Sequence, residues 1–222
     1  KHHDMTITIK SIPEKDFRFM AFSDASFSSA SKPDSHAGLV MVGTHQNILK
    51  NHQCPISPIS WGCRKIQKVV VSTLAAETYA LSSAVDMADW LRLAWEWLRN
   101  PLTPWKTPEV VWKTAPPSIA VVDFKSLYDV ITKNTTPQCQ EHRVTLEALI
   151  IKERLQEGIV VKWVHSAAQL ADSLTKHMDC TNLRLFLKHG RCIIHDVDEI
   201  LKARADKRTQ KAWVEQHQKE RN

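Results

Sequence analysis

The sequence predicts a mixed α/β protein with a five-stranded sheet, in which three antiparallel strands are followed by parallel strands. Helices flank this sheet, and a helical extension follows at the C-terminal end. Three strand-like segments come first, and a long helical segment without Gly or Pro follows them. A short, continuous apolar segment then alternates with further helical segments, which is typical of parallel strands joined by helices.

The first three strands are predicted at residues 17–24, 36–44 and 56–63. Pro33 and Asp34 form a turn signal between the first two. Pro58 marks the third strand as irregular or as an edge strand, because proline cannot donate a hydrogen bond to a neighbouring strand. Three such strands in succession predict an antiparallel meander.

The long helix is predicted from Ser72 to about Leu98, where apolar residues recur at helical spacing. The Ser72 hydroxyl is suited to cap its first turn, and Asn100 with Pro101 ends it. The segment that follows, 101–117, contains several Pro and Trp residues and is predicted to be a loop.

The second half of the chain alternates between strands and helices. The apolar segment 118–122 has the composition of a strand buried on both faces, as in a parallel sheet. Helices are predicted at 127–132 and at 140–158, with Gly158 as the C-cap of the second. A strand at 159–165 follows, and Ser166 begins a last helix with Gln169 in the capping-box position.

The chain is expected to divide into a leader or linker (1–16), a main domain (17–178) and a C-terminal extension (179–222). The leader is expected to contain one short strand at 5–9. The extension ends in a basic, helical tail: residues 202–222 carry seven Lys/Arg and three Asp/Glu, which leaves +2 of the net +6 for the rest of the chain. The first residue is not Met, so we expect the chain to be a piece of a longer precursor.

Composition excludes several classes of protein. No apolar segment approaches the roughly 20 residues of a membrane span, and no apolar signal-peptide region follows Lys1. Five widely spaced cysteines argue against a disulfide framework and for a reducing compartment.

A zinc site is not favoured, because the spacing of the late cysteines and histidines lacks a C-x-x-C pair. Its candidate ligands would be Cys180, His189, Cys192 and His195.

Four carboxylates stand where the predicted elements would bring them together. Asp24 ends the first strand, Glu77 lies in the first turns of the long helix, Asp123 ends the apolar strand, and Asp172 lies in the helix after the last strand. Carboxylate oxygens are the ligands that Mg²⁺ and Mn²⁺ prefer, and two such ions can promote phosphodiester hydrolysis. Taken singly, each carboxylate is more often a cap or turn residue than a catalytic one.

Local motifs in this order add a resemblance to a known family. The motifs are SDAS at 23–26, ISW at 59–61 with KIQK at 65–68, LAAETYAL at 74–81, VD at 122–123 and QLADSLTK at 169–176. Together they resemble the ribonuclease H (RNase H) domain of copia-type retrotransposon polyproteins, which contain a reverse transcriptase. The resemblance covers about residues 17–178, and its most specific motif is the last.

The resemblance implies a fold and an activity. It implies an RNase H-like fold and an endonuclease that cuts the RNA strand of RNA–DNA hybrids during reverse transcription. Two Mg²⁺ ions, which Mn²⁺ can replace, would be held by Asp24, Glu77, Asp123 and Asp172. The partners would be the hybrid and an upstream reverse transcriptase domain of the same polyprotein, with no membrane. The expected location is intracellular, in cytoplasmic virus-like particles or in the nucleus.

Two departures from the family pattern concern the catalytic end of the sheet. Family members commonly carry Asn directly after the third carboxylate, where this chain has Phe124, so a polar contact to substrate is absent. The loop before the last Asp is compressed. His165 in that loop is an accessory candidate for product release, although a histidine at the end of a strand is more often packed or solvated. His142, in the helix before the last strand, is a second accessory candidate that either packs or contacts substrate.

Substrate contacts are predicted on both sides of the long helix's start. Arg64, Lys65 and Lys68 precede the helix and are candidates for contacts with backbone phosphates; the alternative is a solvated loop. Ser72 and Thr73 offer hydroxyl and N–H groups to a phosphate, which is compatible with simple capping. Ser26, next to Asp24, completes this set.

Two other functions remain open on the sequence. The chain could be a catalytically degenerate RNase H-like tether that binds a hybrid or a reverse transcriptase without cutting. It could also be a related metal nuclease, such as an exonuclease or an integrase-type transferase. The presence of all four carboxylates speaks against the first, and the motif at 169–176 speaks against the second.

Overall fold

The computed structural model describes residues 6–28, 34–102, 108–176, 178 and 180–195. The described residues form one six-stranded sheet with the strand order β5-β4-β1-β2-β3-β6. The strands are β1 (Phe17–Ser26), β2 (His36–His45), β3 (Cys54–Lys65), β4 (Ser118–Val122), β5 (Ile159–Trp163) and β6 (Arg191–Cys192). The helices are α1 (Thr73–Arg99), α2 (Pro108–Thr114), α3 (Lys125–Thr132), α4 (His142–Gln156), α5 (Asp172–Thr175) and α6 (Thr181–His189).

The predicted fold class is confirmed. β1, β2 and β3 pair antiparallel in succession, and β4 pairs parallel with both β1 and β5. This is the RNase H-like arrangement that the sequence resemblance implied. The predicted count of five strands is wrong by one, because β6, which has only two residues, pairs with the start of β3 at Cys54 and Pro55.

Two hydrophobic layers follow from the alternation of side chains along the central strands. Met20 and Phe22 of β1 point to the face covered by α6, where Phe186 packs edge-to-face on Phe22. Phe19 and Ala21 point to the opposite face, which is covered by α1, α3 and α4. All five residues of β4 are buried, and its side chains pack alternately into the two layers, as its continuous apolar sequence predicts.

The core on the α6 face extends beyond the main domain predicted from the sequence. Leu183, Phe186, Leu187, Cys192 and Ile194 pack in the same cluster as the β1 and β2 side chains. Residues on both sides of the predicted boundary at residue 178 therefore share one core. The predicted basic, helical tail at 202–222 lies outside the described residues.

The long helix α1 begins and ends close to where the sequence predicts. The Ser72 hydroxyl accepts a hydrogen bond from the Ala75 N–H (3.0 Å), which caps the helix. Near its other end, the buried Arg92 donates to Asp89 and to four backbone carbonyl oxygens of 112–116 and 157. These bonds compensate the cost of burying a guanidinium group, and they fix α1 to the loop before β4.

Several local predictions are wrong. Residues 6–9 form no strand, although the Thr8 N–H donates to the Leu187 carbonyl oxygen (2.9 Å); Met5 lies outside the described residues. The segment predicted as a loop at 101–117 contains α2. The element after β5 is a 3-10 turn at Ser166–Ala168 followed by the short α5, not one helix from Ser166.

Other local predictions are confirmed. The pairing of β2 with β3 shifts by one residue next to Pro58, as a proline inside a strand predicts. Gly158 follows α4 with a φ of +102°, a conformation that favours glycine. Among the described residues, no helix combines the length and the apolar composition that a membrane span requires.

Candidate metal centre

Two carboxylates lie at the same edge of the sheet because their strands are parallel neighbours. Asp24 is near the end of β1 and is 1% exposed. Asp123 directly follows β4, whose register aligns Phe22 of β1 with Val121. The Trp163 indole N–H of β5 donates to the Asp123 carbonyl oxygen (2.8 Å) and fixes the backbone there. The carboxyl ends of parallel strands are where α/β folds usually bind ligands.

A third carboxylate joins them from α5. Asp172, at the first position of α5, contributes a carboxylate oxygen that lies within 4.8 Å of oxygens of both Asp24 and Asp123. Across the described ranges, no other group of His, Cys, Asp or Glu side chains brings its ligand atoms together in this way. This includes Cys180, His189, Cys192 and His195, so the described part of the chain offers no zinc set.

Glu77 adjoins this trio from α1. Its side chain is 6% exposed, and its carboxylate accepts a hydrogen bond from the Ala25 N–H at the end of β1. The charges of Asp24 and Asp123 act on it directly. The structure therefore brings oxygens of three of the predicted ligands within 4.8 Å of one another, and the fourth ligand is close enough for the charges of Asp24 and Asp123 to act on it.

Burial makes the charged forms of these carboxyl groups unfavourable. Desolvation raises the pKa of Asp24 to about 7, opposed by the Thr175 hydroxyl and the Lys176 charge and reinforced by Asp172 and Asp123. Desolvation, followed by the charges of Asp24 and Asp123, raises the pKa of Glu77 to about 9. Desolvation also raises the pKa of Asp123, although a hydrogen bond from Ser166 opposes it.

This donor set fits a divalent cation. Buried carboxylates that repel one another are costly unless opposite charge compensates them. The oxygens are hard ligands of the kind that Mg²⁺ and Mn²⁺ prefer. A divalent ion among them would lower all the raised pKa values and hold the carboxylates ionised.

Two side chains for which the sequence predicted no role complete the site. The Thr175 hydroxyl donates to Asp24 Oδ2, and the Lys176 ammonium donates to Asp172 Oδ1 and lies 3.3 Å from Asp24 Oδ1. Lys176 stands four residues after Asp172, the spacing at which opposite charges meet on a helix. That spacing was the sequence signal for this contact.

Gln169 also has a different role from the predicted one. It does not complete a capping box. Its side-chain amide donates to the Ser23 carbonyl oxygen (2.9 Å) and accepts from the Ala171 N–H (3.3 Å). Gln169 therefore ties the segment that carries Asp172 to the strand that carries Asp24.

Gly38 determines how closely α5 approaches the sheet. It pairs with Asp24 across β1 and β2, and a Cβ atom there would lie 2.8 Å from Thr175 Cγ2 and 3.0 Å from the Ala171 carbonyl oxygen. We expect Gly38→Ala to push α5 away, which lowers the free energy of unfolding by about 1–3 kcal/mol. It should also reduce any metal-dependent activity by roughly 10-fold or more, because displaced ligands lose their geometry.

Thermal unfolding and activity measurements on Gly38→Ala check this prediction. The matched control is Gly62→Ala in β3, where a Cβ atom meets nothing within 4 Å. Equal losses of stability in the two variants would show that the close approach of α5 at Gly38 does not matter.

The predicted basic contacts lie along one groove beside the carboxylates. Arg64, Lys65 and Lys68 line a groove of about 390 Å³ between β3 and the first half of α1. Lys65 pairs with Asp34 (2.5 Å), and Lys68 pairs with Glu147 (2.7 Å). Trp61 lines this groove and is 42% exposed, whereas Trp163 is fully buried. The groove thus combines the cationic groups of Arg64 and the two paired lysines with the Trp61 ring, and the carboxylates of Asp86 and Glu147 also line it.

The remaining predicted contacts are more scattered. Ser26 is half-buried at the end of β1. The Ser72 hydroxyl is engaged, since it caps α1 and donates to Glu141 (2.6 Å). Thr73, the first residue of α1, is exposed.

The accessory histidines do not converge on each other. His165 follows β5, and its Nδ1 accepts from the Ala167 N–H (3.1 Å), which caps the 3-10 turn that leads to Asp172. His142 is exposed at the start of α4, next to Glu141. Phe124, at the position where the resembled family has Asn, precedes α3 and packs against the core on the α1 face.

No protein-family model and no curated protein matches this chain. Among solved structures, it is similar to ribonuclease H1 of Halobacterium salinarum (15% identity, TM-score 0.47), covering 71% of this chain and 93% of that one. It is also similar to the N-terminal RNase H domain of a Mycobacterium tuberculosis protein fused to maltose-binding protein (14%, 0.47), covering 75% and 95%. A third similarity is to a foamy viral protease–reverse transcriptase in complex with double-stranded DNA (14%, 0.39), covering 74% and 96%. At such low identities these similarities concern the fold alone, so functional inference rests on the geometry of this chain's own site.

Proposed function

We propose that this chain is a divalent-metal-dependent ribonuclease that hydrolyses the RNA strand of RNA–DNA hybrids. The observation that carries the proposal is the convergence of the buried Asp24 and Asp172 with the half-buried Asp123, and with Glu77 beside them, at the carboxyl ends of β1 and β4. Carboxylates in such an arrangement are costly in a merely structural role. They are useful where a cation must be held next to a phosphate.

The four carboxylates would hold Mg²⁺ or Mn²⁺. When bound, such ions supply positive charge that activates a water molecule and stabilises the leaving oxygen of a phosphodiester. The chain's own task is positioning. β1 and β4 fix Asp24 and Asp123, the Ala25 N–H orients Glu77, and Gln169 ties the α5 segment, and with it Asp172, to β1.

Binding of the nucleic acid is assigned to the groove beside the carboxylates. Arg64, Lys65 and Lys68 would contact backbone phosphates without reading sequence. Ser26 lies beside Asp24, where a 2′-hydroxyl contact would distinguish RNA from DNA, and Thr73 offers its hydroxyl at the start of α1. We assign His165 to positioning the turn before Asp172 and leave His142 as an accessory candidate.

The biological setting we propose is a retroelement of the copia type. Its support is the ordered set of motifs from 23–26 to 169–176. In that setting, a reverse transcriptase domain precedes this chain in the polyprotein, and the enzyme removes template RNA in the cytoplasm or nucleus.

Substrate choice tests the proposal. The full chain, in Mg²⁺ or Mn²⁺, is expected to cut the labelled RNA strand of a hybrid and to leave duplex RNA, duplex DNA and the DNA strand of the hybrid intact. Chelation with EDTA is expected to stop the cutting. Equal cutting of duplex DNA would point to another metal nuclease, such as an exonuclease or an integrase-type transferase.

A second candidate function is a tether that binds a hybrid or a reverse transcriptase without cutting. It is favoured by Phe124, an apolar and half-buried residue where the resembled family has a polar one. Hybrid binding without cleavage in either metal would support this second function over the first.

A further inference from the structure

Two cysteines from distant parts of the chain face each other at one edge of the sheet. Cys54 begins β3, Cys192 ends β6, and the antiparallel register of these strands pairs the two residues directly. Directly opposed residues of an antiparallel pair project to the same face of the sheet, and both side chains belong to the core cluster on the α6 face. Each is 2% exposed. The two thiols are therefore neighbours in one buried layer.

The backbone spacing of this pair suits a disulfide bond. The Ile56 N–H donates to the Gly190 carbonyl oxygen (2.9 Å), which makes these two residues a hydrogen-bonded pair. Such pairs recur at every second position of an antiparallel ladder, so Cys54 and Cys192 form the next one, with Cα atoms about 5.5 Å apart. Disulfides join Cα atoms that are roughly 4.4–6.8 Å apart. The two strands are thus already within the range that a disulfide spans.

Three distant segments of the chain meet at this edge. The Thr8 N–H donates to the Leu187 carbonyl oxygen of α6 (2.9 Å). Two residues later, the Lys10 N–H donates to Ser57 Oγ of β3 (2.9 Å). β6 is the last strand in the order of the sheet and has only two residues, so few backbone hydrogen bonds hold it. A covalent bond across the cysteine pair would therefore fix the segment that contributes least to the sheet.

We propose that Cys54 and Cys192 are a redox-sensitive pair that forms a cross-strand disulfide by exchange with a low-molecular-weight disulfide such as glutathione disulfide. One cysteine thiolate attacks the small disulfide and releases one thiol, and the other cysteine thiolate then displaces the second thiol. Two electrons pass from the cysteine pair to the small disulfide, and the two thiol protons end on the released thiols. In a reducing compartment the pair remains as two thiols.

Burial makes this exchange slow in the folded chain. Desolvation raises the pKa of the Cys54 thiol to about 11, and the thiolate is the form that attacks a disulfide. Attack therefore requires local opening of β6, of the kind that frees segments with few hydrogen bonds. We expect the bond to form faster at pH 9 than at pH 7, because the thiolate fraction rises with pH.

The bond would enclose residues 55–191 in one loop. A cross-link that closes a long loop restricts the unfolded chain strongly and so favours the folded one. It would also hold α6 against the sheet, where Phe186 packs on Phe22 of the strand that carries Asp24. We expect the oxidised chain to unfold at a Tm roughly 5–15 °C above that of the reduced chain.

Mass spectrometry and peptide mapping after incubation in glutathione redox buffers test the proposal. A full-length chain with Cys63→Ser, Cys139→Ser and Cys180→Ser keeps only the proposed pair. The control carries Cys192→Ala in addition. We expect the first chain to lose about 2 Da, the two hydrogen atoms that one disulfide removes, to remain monomeric, and to give a cross-linked peptide pair that dithiothreitol separates. The control is expected to form no bond within the chain.

Peptide mapping of the wild-type chain decides the matter if the substituted chains do not fold. A bond between Cys54 and Cys192 is the expected product there as well. The proposal would be overturned if oxidation gave only mixed glutathione disulfides, bonds to other cysteines or links between chains. It would equally be overturned if the pair stayed reduced in the most oxidising buffer at pH 9, or if the oxidised chain had no higher Tm than the reduced one.

Discussion

Replacing Asp24 with Asn is expected to reduce hybrid cleavage by at least about 10²–10³-fold, the scale seen when one group that stabilises transition-state charge is removed. Asp24 is the carboxylate that both Asp123 and Asp172 approach, and it is almost fully buried. Asparagine has the same shape and keeps an oxygen that accepts from Thr175 or Lys176. It lacks the negative charge that would hold a divalent ion, so a loss of hybrid cleavage in this variant can be attributed to the missing charge.

The fold is expected to survive this change. The pKa of Asp24 is raised to about 7, mainly by desolvation, so a neutral side chain there is no worse for the metal-free fold than a charged one. The matched control is Asp129→Asn, which removes a carboxylate that pairs with Lys125 on the surface of α3. Cleavage by Asp24→Asn within about tenfold of the control would contradict the assignment of Asp24 as a ligand.

Replacing Glu77 with Gln is expected to stabilise the metal-free protein at pH 8. Burial and the charges of Asp24 and Asp123 raise the pKa of Glu77 from 4.5 to about 9. The folded protein therefore keeps a proton that the unfolded chain releases above pH 4.5, so the stability of the wild-type protein falls as pH rises from about 4.5 to 9. Glutamine does not titrate, and the variant escapes this loss.

Thermal unfolding in EDTA at pH 5 and pH 8 measures the effect. We expect the Tm of Glu77→Gln to exceed that of the wild-type protein at pH 8 by on the order of 5 °C, and the difference to shrink at pH 5. Adding Mn²⁺ should reverse the order, because the wild-type site gains more from a bound cation. Glu153→Gln, at an exposed position of α4, is the control. A lower Tm for Glu77→Gln than for this control at pH 8 would contradict the account.

The sequence predicted the positions of Asp24, Asp123 and Glu77 because local patterns determine them, whereas Asp172 begins a separate short helix and does not lie in one helix from Ser166. β1 and β4 are strongly apolar, and Asp24 and Asp123 come at their ends, so their meeting follows once the strands are parallel neighbours. Ser72 and the uninterrupted helical periodicity after it predicted the start of α1, and with it the location of Glu77. These signals lie within about ten residues of each site residue.

Contacts between distant segments could not be predicted in this way. Gln169 meets Ser23, and Thr175 meets Asp24, across more than 140 residues. Gln169 has the spacing of a capping box in the sequence, but its side chain bonds to β1 instead. Lys176 had a local signal in its spacing from Asp172, yet only the fold places both beside Asp24.

The other errors have separate physical causes. β6 has two residues, too few for any periodicity to show. α2, which was missed in the segment predicted as a loop, begins at Pro108. Proline is common both in the first turn of a helix and in loops, so it did not distinguish the two.

The most direct test of the central claim is cleavage of a labelled RNA–DNA hybrid in Mg²⁺ by the wild-type chain and by Asp123→Asn, side by side. Asp123 converges with Asp24 and Asp172, and its backbone is fixed by Trp163, so the substitution removes one charge at a defined position. We expect cutting of the RNA strand by the wild-type chain and loss of this cutting in a variant that remains folded. Undiminished cutting by folded Asp123→Asn would contradict it.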